Sequence, residues 1–210
     1  MKKMITLMLC MMFAFTISAQ EKKTWSVKAG LGMSSWMGKD KSNTQVLFSQ
    51  KYGVNIDIPL NWLVSFQTGI FWEEKGTKVD ASYEIGDIKT SDVYFHQHYF
   101  QMPILAAFHL GTGKDFDVVL TAGPYLAMGV KGKTEVDVDD FTISKETFED
   151  AKIDDHIEKG LHKFDAGLQL GAALDFGKWV AGIDGEFGFL KLNDYKIRNM
   201  AFFVTAAYKF

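Results

Sequence analysis

Cysteine is almost absent from the 210-residue chain, and the one present, Cys10, lies in an N-terminal apolar stretch that reads as an address. A mature chain without cysteine has no disulfides to hold it in an oxidising compartment, so packing and backbone pairing must do so. Proline is scarce at 3 residues, whereas 19 glycines and a 14% aromatic share mark a chain that folds and buries rings. Neither sign of charge dominates, since 23 Lys and Arg face 26 Asp and Glu for a net −3. A nucleic-acid partner would need a basic patch or stripe, and there is none. Beyond the first twenty residues no unbroken apolar run reaches the ~18 residues of a membrane helix, which excludes a helical membrane protein.

Lys2 and Lys3 precede the apolar stretch from Met4 to Ile17, and Ser18-Ala19-Gln20 offers a small-residue cleavage point before Glu21-Lys22-Lys23. We read residues 1–19 as a secretory signal peptide and 20–210 as one domain. Losing Lys2 and Lys3 takes the net charge from −3 to −5. Cys10 has no small residue immediately before it, so it does not read as a lipoprotein anchor and leaves with the signal.

From Thr24 onward the pattern has period two, the mark of strands with two different faces. Eight alternating segments run over 25–34, 52–58, 62–73, 100–110, 116–129, 163–176, 179–189 and 199–210. The cleanest sets Phe164, Ala166, Leu168, Leu170, Ala172, Leu174 and Phe176 against Lys163, Asp165, Gly167, Gln169, Gly171, Ala173 and Asp175. Three features put the apolar face outside. The polar face carries Gly, Ser, Ala and mixed charges, which suits the tight interior of a small barrel. Connections alternate between short (Pro59 to Asn61, Gly111 to Lys114, Gly177-Lys178) and long (37–50, 76–92, 131–162, 191–198), as in outer-membrane barrels. Aromatic residues, among them Trp25, Trp62, Phe108, Phe176, Trp179 and Tyr208, gather beside the short turns as an interfacial girdle.

The expected fold is therefore an all-β, eight-stranded, antiparallel up-and-down transmembrane barrel with short periplasmic turns and long extracellular loops. Unpaired backbone groups cost several kcal/mol each in hydrocarbon, so a lipid-exposed sheet must close. Eight strands leave an interior just wide enough to be filled by side chains. Lys28, Asp57, Glu73, Asp165, Asp184, Glu186 and Lys209 fall on the inner face and are expected to pair there structurally rather than conduct ions.

The stretch Tyr99-Phe100-Gln101-Met102-Pro103-Ile104-Leu105, then Ala122-Gly123-Pro124-Tyr125-Leu126, resembles the PorT-like outer-membrane β-barrel family of Bacteroidetes. Phe164-Asp165-Ala166-Gly167 with Gly171, and the end Ala207-Tyr208-Lys209-Phe210, extend the likeness. The resemblance implies a barrel without known enzymatic residues, whose namesake is linked to protein export across the outer membrane. The C-terminal Phe210, with Tyr208, also resembles the signal read by the outer-membrane assembly machinery, with Thr205 where glycine is usual. Pro103 and Pro124 fall on adjacent strands, and because proline donates nothing to a ladder we expect a shared bulge or locally broken pairing there.

His96 and His98 lie two apart on one strand face and are the weak candidates for a metal, with Asp92 nearby, but no third or fourth ligand is evident. No metal site and no cofactor is therefore assigned. His109, on the opposite face, reads as a lumen hydrogen-bonding residue. Asp137, Asp139 and Asp140 look like a calcium loop, yet Thr142 stands where glycine is required, which excludes an EF-hand. Residues 131–162 hold ten carboxylates and five lysines, a net −5 that leaves loose divalent binding at the lipopolysaccharide layer open. Within them Ile153, Ile157 and Leu161 recur every four residues between Ser144 as a cap and Gly160 as a stop, which fits a short amphipathic helix as well as a solvated loop. Val79, Ala81, Tyr83 and Ile85 predict that the third and fourth strands continue as a hairpin, with a bulge near Gly76 where the apolar parity switches.

The expected function is a non-enzymatic membrane scaffold with loops available for a partner, possible secretion included, in contact with outer-membrane lipids and lipopolysaccharide. Two alternatives stand beside it. A secreted, lipocalin-like barrel would bind an apolar ligand inside and needs the apolar face inward. A lipid-modifying enzyme needs a serine within reach of His96 or His98.

Overall fold

The computed structural model describes residues 23–38, 44–85, 88–113, 115–138, 141–148, 151–153, 156–158, 161–192 and 197–210; the segment read as a signal peptide lies outside them. Alternation gives eight long strands: β1 (Thr24–Met37), β2 (Leu47–Pro59), β3 (Val64–Ile85), β4 (Ile88–Gly111), β5 (Asp117–Val138), β6 (Phe164–Asp175), β7 (Trp179–Gly188) and β8 (Arg198–Lys209). Each pairs antiparallel with the next, and β8 pairs with β1, so the sheet is a closed eight-stranded barrel without an edge. Closure gives every wall strand a neighbour on both sides, which hydrocarbon requires.

The faces are assigned by exposure. Val204 is 69% exposed while its neighbour Thr205 is 5% exposed, and the same alternation puts Leu31, Ile70, Met102, Leu120 and Ile183 outside. Inside lie Ser34, Ser49, Lys51, Glu73, Gln101, Gln169 and Glu186. A carrier of apolar ligands would need these faces reversed. Aromatic pairs ring the short-turn rim, with Trp179 against Tyr208 at 4.9 Å and Phe116 against Phe176 at 5.9 Å. Both chain ends meet there, Phe210 N donating to Trp25 O at 3.0 Å.

The strands differ in length in a way that shapes the molecule. β1, β2, β6, β7 and β8 have 14, 13, 12, 10 and 12 residues, whereas β3, β4 and β5 have 22, 24 and 22. A tilted strand crosses a bilayer in ~9–11 residues, so β3 to β5 project well beyond the long-loop rim. Strand Phe141–Glu146 pairs with Lys133–Val138 and widens this projecting sheet. Apart from Thr147-Phe148 and Leu161-His162, the described parts of the long loop are strands, including the hairpin Ala151–Ile153 with His156–Glu158, and of the two readings, short helix or solvated loop, the helix is absent from them. Thr142, Ile143, Ile153 and Ile157 are β-branched and find partners in pairing, which outweighs a four-residue recurrence.

The irregularity expected near Gly76 lies on one side of β3: toward the preceding chain the register slips by one residue between Lys51↔Glu73 and Gln45↔Lys78, and Ser34 Oγ bonds both Gly76 N and Gly76 O there. β3 and β4 keep one register from Val64↔Phe108 to Asp80↔Asp92, and the shift comes beyond it, between Asp80 and Tyr83. The apolar parity switches for another reason: above the membrane the outer face becomes polar while the inner face packs an apolar lid. At the prolines the pairing is broken without a bulge. Ladder partners are missing between Gly69-Ile70 and Met102-Pro103, and between Ile104-Leu105 and Gly123-Pro124, yet the register on either side is unchanged. Thr68 Oγ1 donates to Pro103 O at 2.7 Å across the gap.

Candidate functional site

The lumen is built in layers from the short-turn end upward. The lowest is a polar vestibule, a cavity of about 60 Å³ lined by Lys28, Asp57, His109, Asp175, Asp184 and Lys209 among others. Gln67 Nε2 donates to Asp57 Oδ2 at 2.5 Å, Lys28 pairs with Asp184 at 2.7 Å, and Lys209 pairs with Asp175. Ser65 Oγ and His109 Nε2 are 2.7 Å apart, and Asp57 Oδ2 lies 3.7 Å from the same ring nitrogen. Because serine and carboxylate meet one nitrogen, the carboxylate does not orient the imidazole from behind as a nucleophile's base requires.

Above the vestibule two lysines and two glutamates form a ring. Lys51 Nζ lies 2.9 Å from Glu73 Oε1 and 2.7 Å from Glu186 Oε1, while Lys75 Nζ lies 3.1 Å from Glu73 Oε2 and 2.7 Å from Glu186 Oε2. All four side chains are at most 1% exposed. Asp184 reaches Lys51 at 3.6 Å from below, linking the ring to Lys28. Gln101 accepts from Lys75 at 2.7 Å and donates to Glu186 at 2.9 Å. Rings cover the cations, Lys51 over Phe71 and Phe203 at 5.1 Å each and Lys75 over Tyr125 at 4.5 Å. Asp165 stands apart, accepting from Tyr125 OH at 3.2 Å and from Asn199 Nδ2 at 3.1 Å.

The third layer is apolar and comes from the long loops. Trp36, Leu192 and Ile197 are buried against Val79, Phe95 and Leu161, and Phe148 packs edge-on to Tyr99 at 5.9 Å. Thr147 N donates to Gly132 O at 3.1 Å, which anchors the base of the acidic loop inside the wall. Gly129 and Gly132 leave the space Phe148 fills, since a Cβ there would lie 2.6 and 2.9 Å from its ring. Among the described residues, ion pairs and this lid fill the lumen above the vestibule.

All seven expected inner-face charges line this interior, and five of them take part in its lysine–carboxylate ion pairs; Asp57 accepts from Gln67, and Asp165 from Tyr125 and Asn199. Alternation missed their central partners, Lys51 and Lys75, which lie just beyond the readable segments on the same inward parity as Asp57 and Glu73. His96 and His98 face outward. His96 Nδ1 is 2.8 Å from Glu74 Oε1, and His98 stacks on Trp72 at 5.5 Å, so neither has a serine partner. No group of three or more metal-ligating side chains occurs among the described residues. The hydrogen bond that His96 donates to Glu74 raises the His96 imidazole and lowers the Glu74 carboxyl, while burial pushes His98 down.

A closed barrel with an apolar outside and a paired, filled inside defines an integral outer-membrane β-barrel. The chain belongs to the outer membrane protein beta-barrel domain family, whose model matches residues 16–194. Among solved structures it is similar to OprG from Pseudomonas aeruginosa, at 10% identity and TM-score 0.49 over 92% of this chain and 99% of that one. It is similar also to Neisserial surface protein A, at 10% identity and TM-score 0.48 over 90% and 100%. A third is Ail, the attachment invasion locus protein of Yersinia pestis, at 15% identity and TM-score 0.41 over 90% and 100%. No curated protein matches the chain.

Proposed function

We propose that this protein works in the outer membrane as a non-enzymatic scaffold, with short turns toward the periplasm and the projecting sheet and acidic loop outside as its partner-binding surface. The filled lumen carries this reading, because a barrel whose interior above a small polar vestibule is packed with ion pairs and an apolar lid leaves its loops as the working surface. Export by a signal peptide over residues 1–19, a mature domain over 20–210 and recognition of Phe210 by the assembly machinery belong to the same proposal. The likeness of the two proline motifs to PorT-like barrels of Bacteroidetes supports a link to protein secretion. Neither alternative gains from the geometry: the faces suit lipid outside, and His96 and His98 are engaged by Glu74 and Trp72.

In a liposome-swelling assay the reconstituted protein should admit small sugars no faster than protein-free vesicles. Uptake at a porin-like rate would overturn the closed scaffold. For the secretion link, cells lacking the chain should lose exported proteins from the medium while keeping other outer-membrane proteins, and unchanged release would remove that part.

A further inference from the structure

Where β3, β4 and β5 leave the bilayer, their outward faces carry a patch the scaffold role does not use. The lipid-facing row ends at Trp72, Phe100 and Met128; beyond it come Glu74, His98 and Lys131, then His96 and Lys133. The lysines reach this face through a register slip between His98 and Tyr99, which leaves Val130 as an extra residue on β5. Lys131 and Lys133 are consequently exposed and Gly132 is buried.

The level is that of lipid headgroups. His98 and His96 lie two and four residues past Phe100, ~7 and ~13 Å along a strand rising about 3.3 Å per residue, and tilt brings both nearer the bilayer. Headgroups occupy roughly the first 5–8 Å beyond the hydrocarbon. The donors are held in place, His96 by Glu74 and by stacking on Tyr94 at 6.4 Å, His98 by Trp72, and Lys133 by Glu135 at 2.5 Å. A phosphate near neutral pH carries between one and two negative charges and accepts several hydrogen bonds, which two ammonium groups and two imidazoles can supply. The hydrogen bond to Glu74 raises the His96 imidazole and burial lowers that of His98, and in either form each ring can offer an N–H.

We propose that Lys131, Lys133, His96 and His98 form a binding site for the phosphate of an outer-leaflet glycolipid, with Trp72 and Phe100 against the start of its acyl chains. The site rests on the reading of the chain as an outer-membrane barrel with its long loops outward. The test uses the full chain in phosphatidylcholine nanodiscs containing bis-phosphorylated lipid A, with retained lipid read by native mass spectrometry. Lys131→Gln with Lys133→Gln should weaken retention about tenfold, Glu74→Gln should weaken it less, and Lys178→Gln at the opposite rim should leave it unchanged. Dephosphorylated lipid A should bind poorly, and inorganic phosphate should not compete.

Equal retention of phosphorylated and dephosphorylated lipid, wild-type retention in the double variant, or displacement by inorganic phosphate would each overturn the site. Boiled and unboiled gel mobility on the same samples separates two failures. A folded double variant with normal retention removes the lipid site alone, whereas a wild-type chain with no boiling shift removes the barrel beneath it. Should the double variant not fold, Lys133→Gln and Glu74→Gln singly carry the same comparison.

Discussion

Lys51 touches three carboxylates, Glu73, Asp184 and Glu186, from a position 1% exposed. Lys51→Met would leave two buried glutamates sharing Lys75, and breaking a buried pair from one side costs ~3–5 kcal/mol. Lys28→Met should cost less, ~1 kcal/mol, because Lys28 is 22% exposed and water replaces part of what is lost. Urea unfolding in detergent, followed by loss of the folded gel band, ranks the two; equal effects would contradict the ring as the centre of the lumen. The His96–Glu74 pair makes a pH prediction of known sign. A raised histidine contributes in full below its unfolded value of 6.5 and loses that contribution as pH rises through its folded value. A lowered glutamate contributes above its unfolded 4.5 and loses it as pH falls through its folded value. The pair therefore stabilises most between 4.5 and 6.5, by under ~1 kcal/mol for a half-exposed site. Glu74→Gln should lower the His96 titration midpoint seen by NMR, and an unmoved midpoint would show the hydrogen bond to be idle.

At the scale of elements, the membrane-crossing parts were legible because only there do lipid and lumen impose opposite chemistry on alternate residues. In β6, Leu170 faces lipid and Gln169 faces the lumen, and seven inner charges follow from that parity alone. Legibility ends where the bilayer ends. Along β3 the inner residues pass from Glu73 and Lys75 to Val79, beneath the apolar lid, while the outer ones pass from Trp72 to Glu74 and Lys78. The apolar parity inverts there along a continuous 22-residue strand whose register toward β4 is constant, while the slip near Gly76 belongs to its pairing with the preceding chain. Lys51 and Lys75 were missed for the same reason, lying at the margins where alternation fades. The lid itself was invisible, because Phe148 meets Gly132 and Tyr99 only after closure. Gly132→Val would collide with Phe148 and Thr147. It should cost about 1–3 kcal/mol and expose the acidic loop to protease while the barrel keeps its boiling shift. Unchanged cleavage would mean the lid does not anchor the loop.

As a whole the molecule is a wall that faces lipid, a vestibule at the short-turn end, a ring of buried charges, an apolar lid, and a sheet standing above the long-loop rim. Each level follows from what surrounds it: hydrocarbon demands closure, closure at eight strands demands filling, and on the function proposed above filling leaves recognition to the projecting sheet. The measurement that bears most directly on this account is fractionation of the expressed protein with gel mobility compared before and after boiling. The account predicts recovery in the outer-membrane fraction and a folded band that shifts on boiling. A soluble protein without that shift would contradict it, because the exposed belt of Leu31, Ile70, Ile183 and Val204 could not face water.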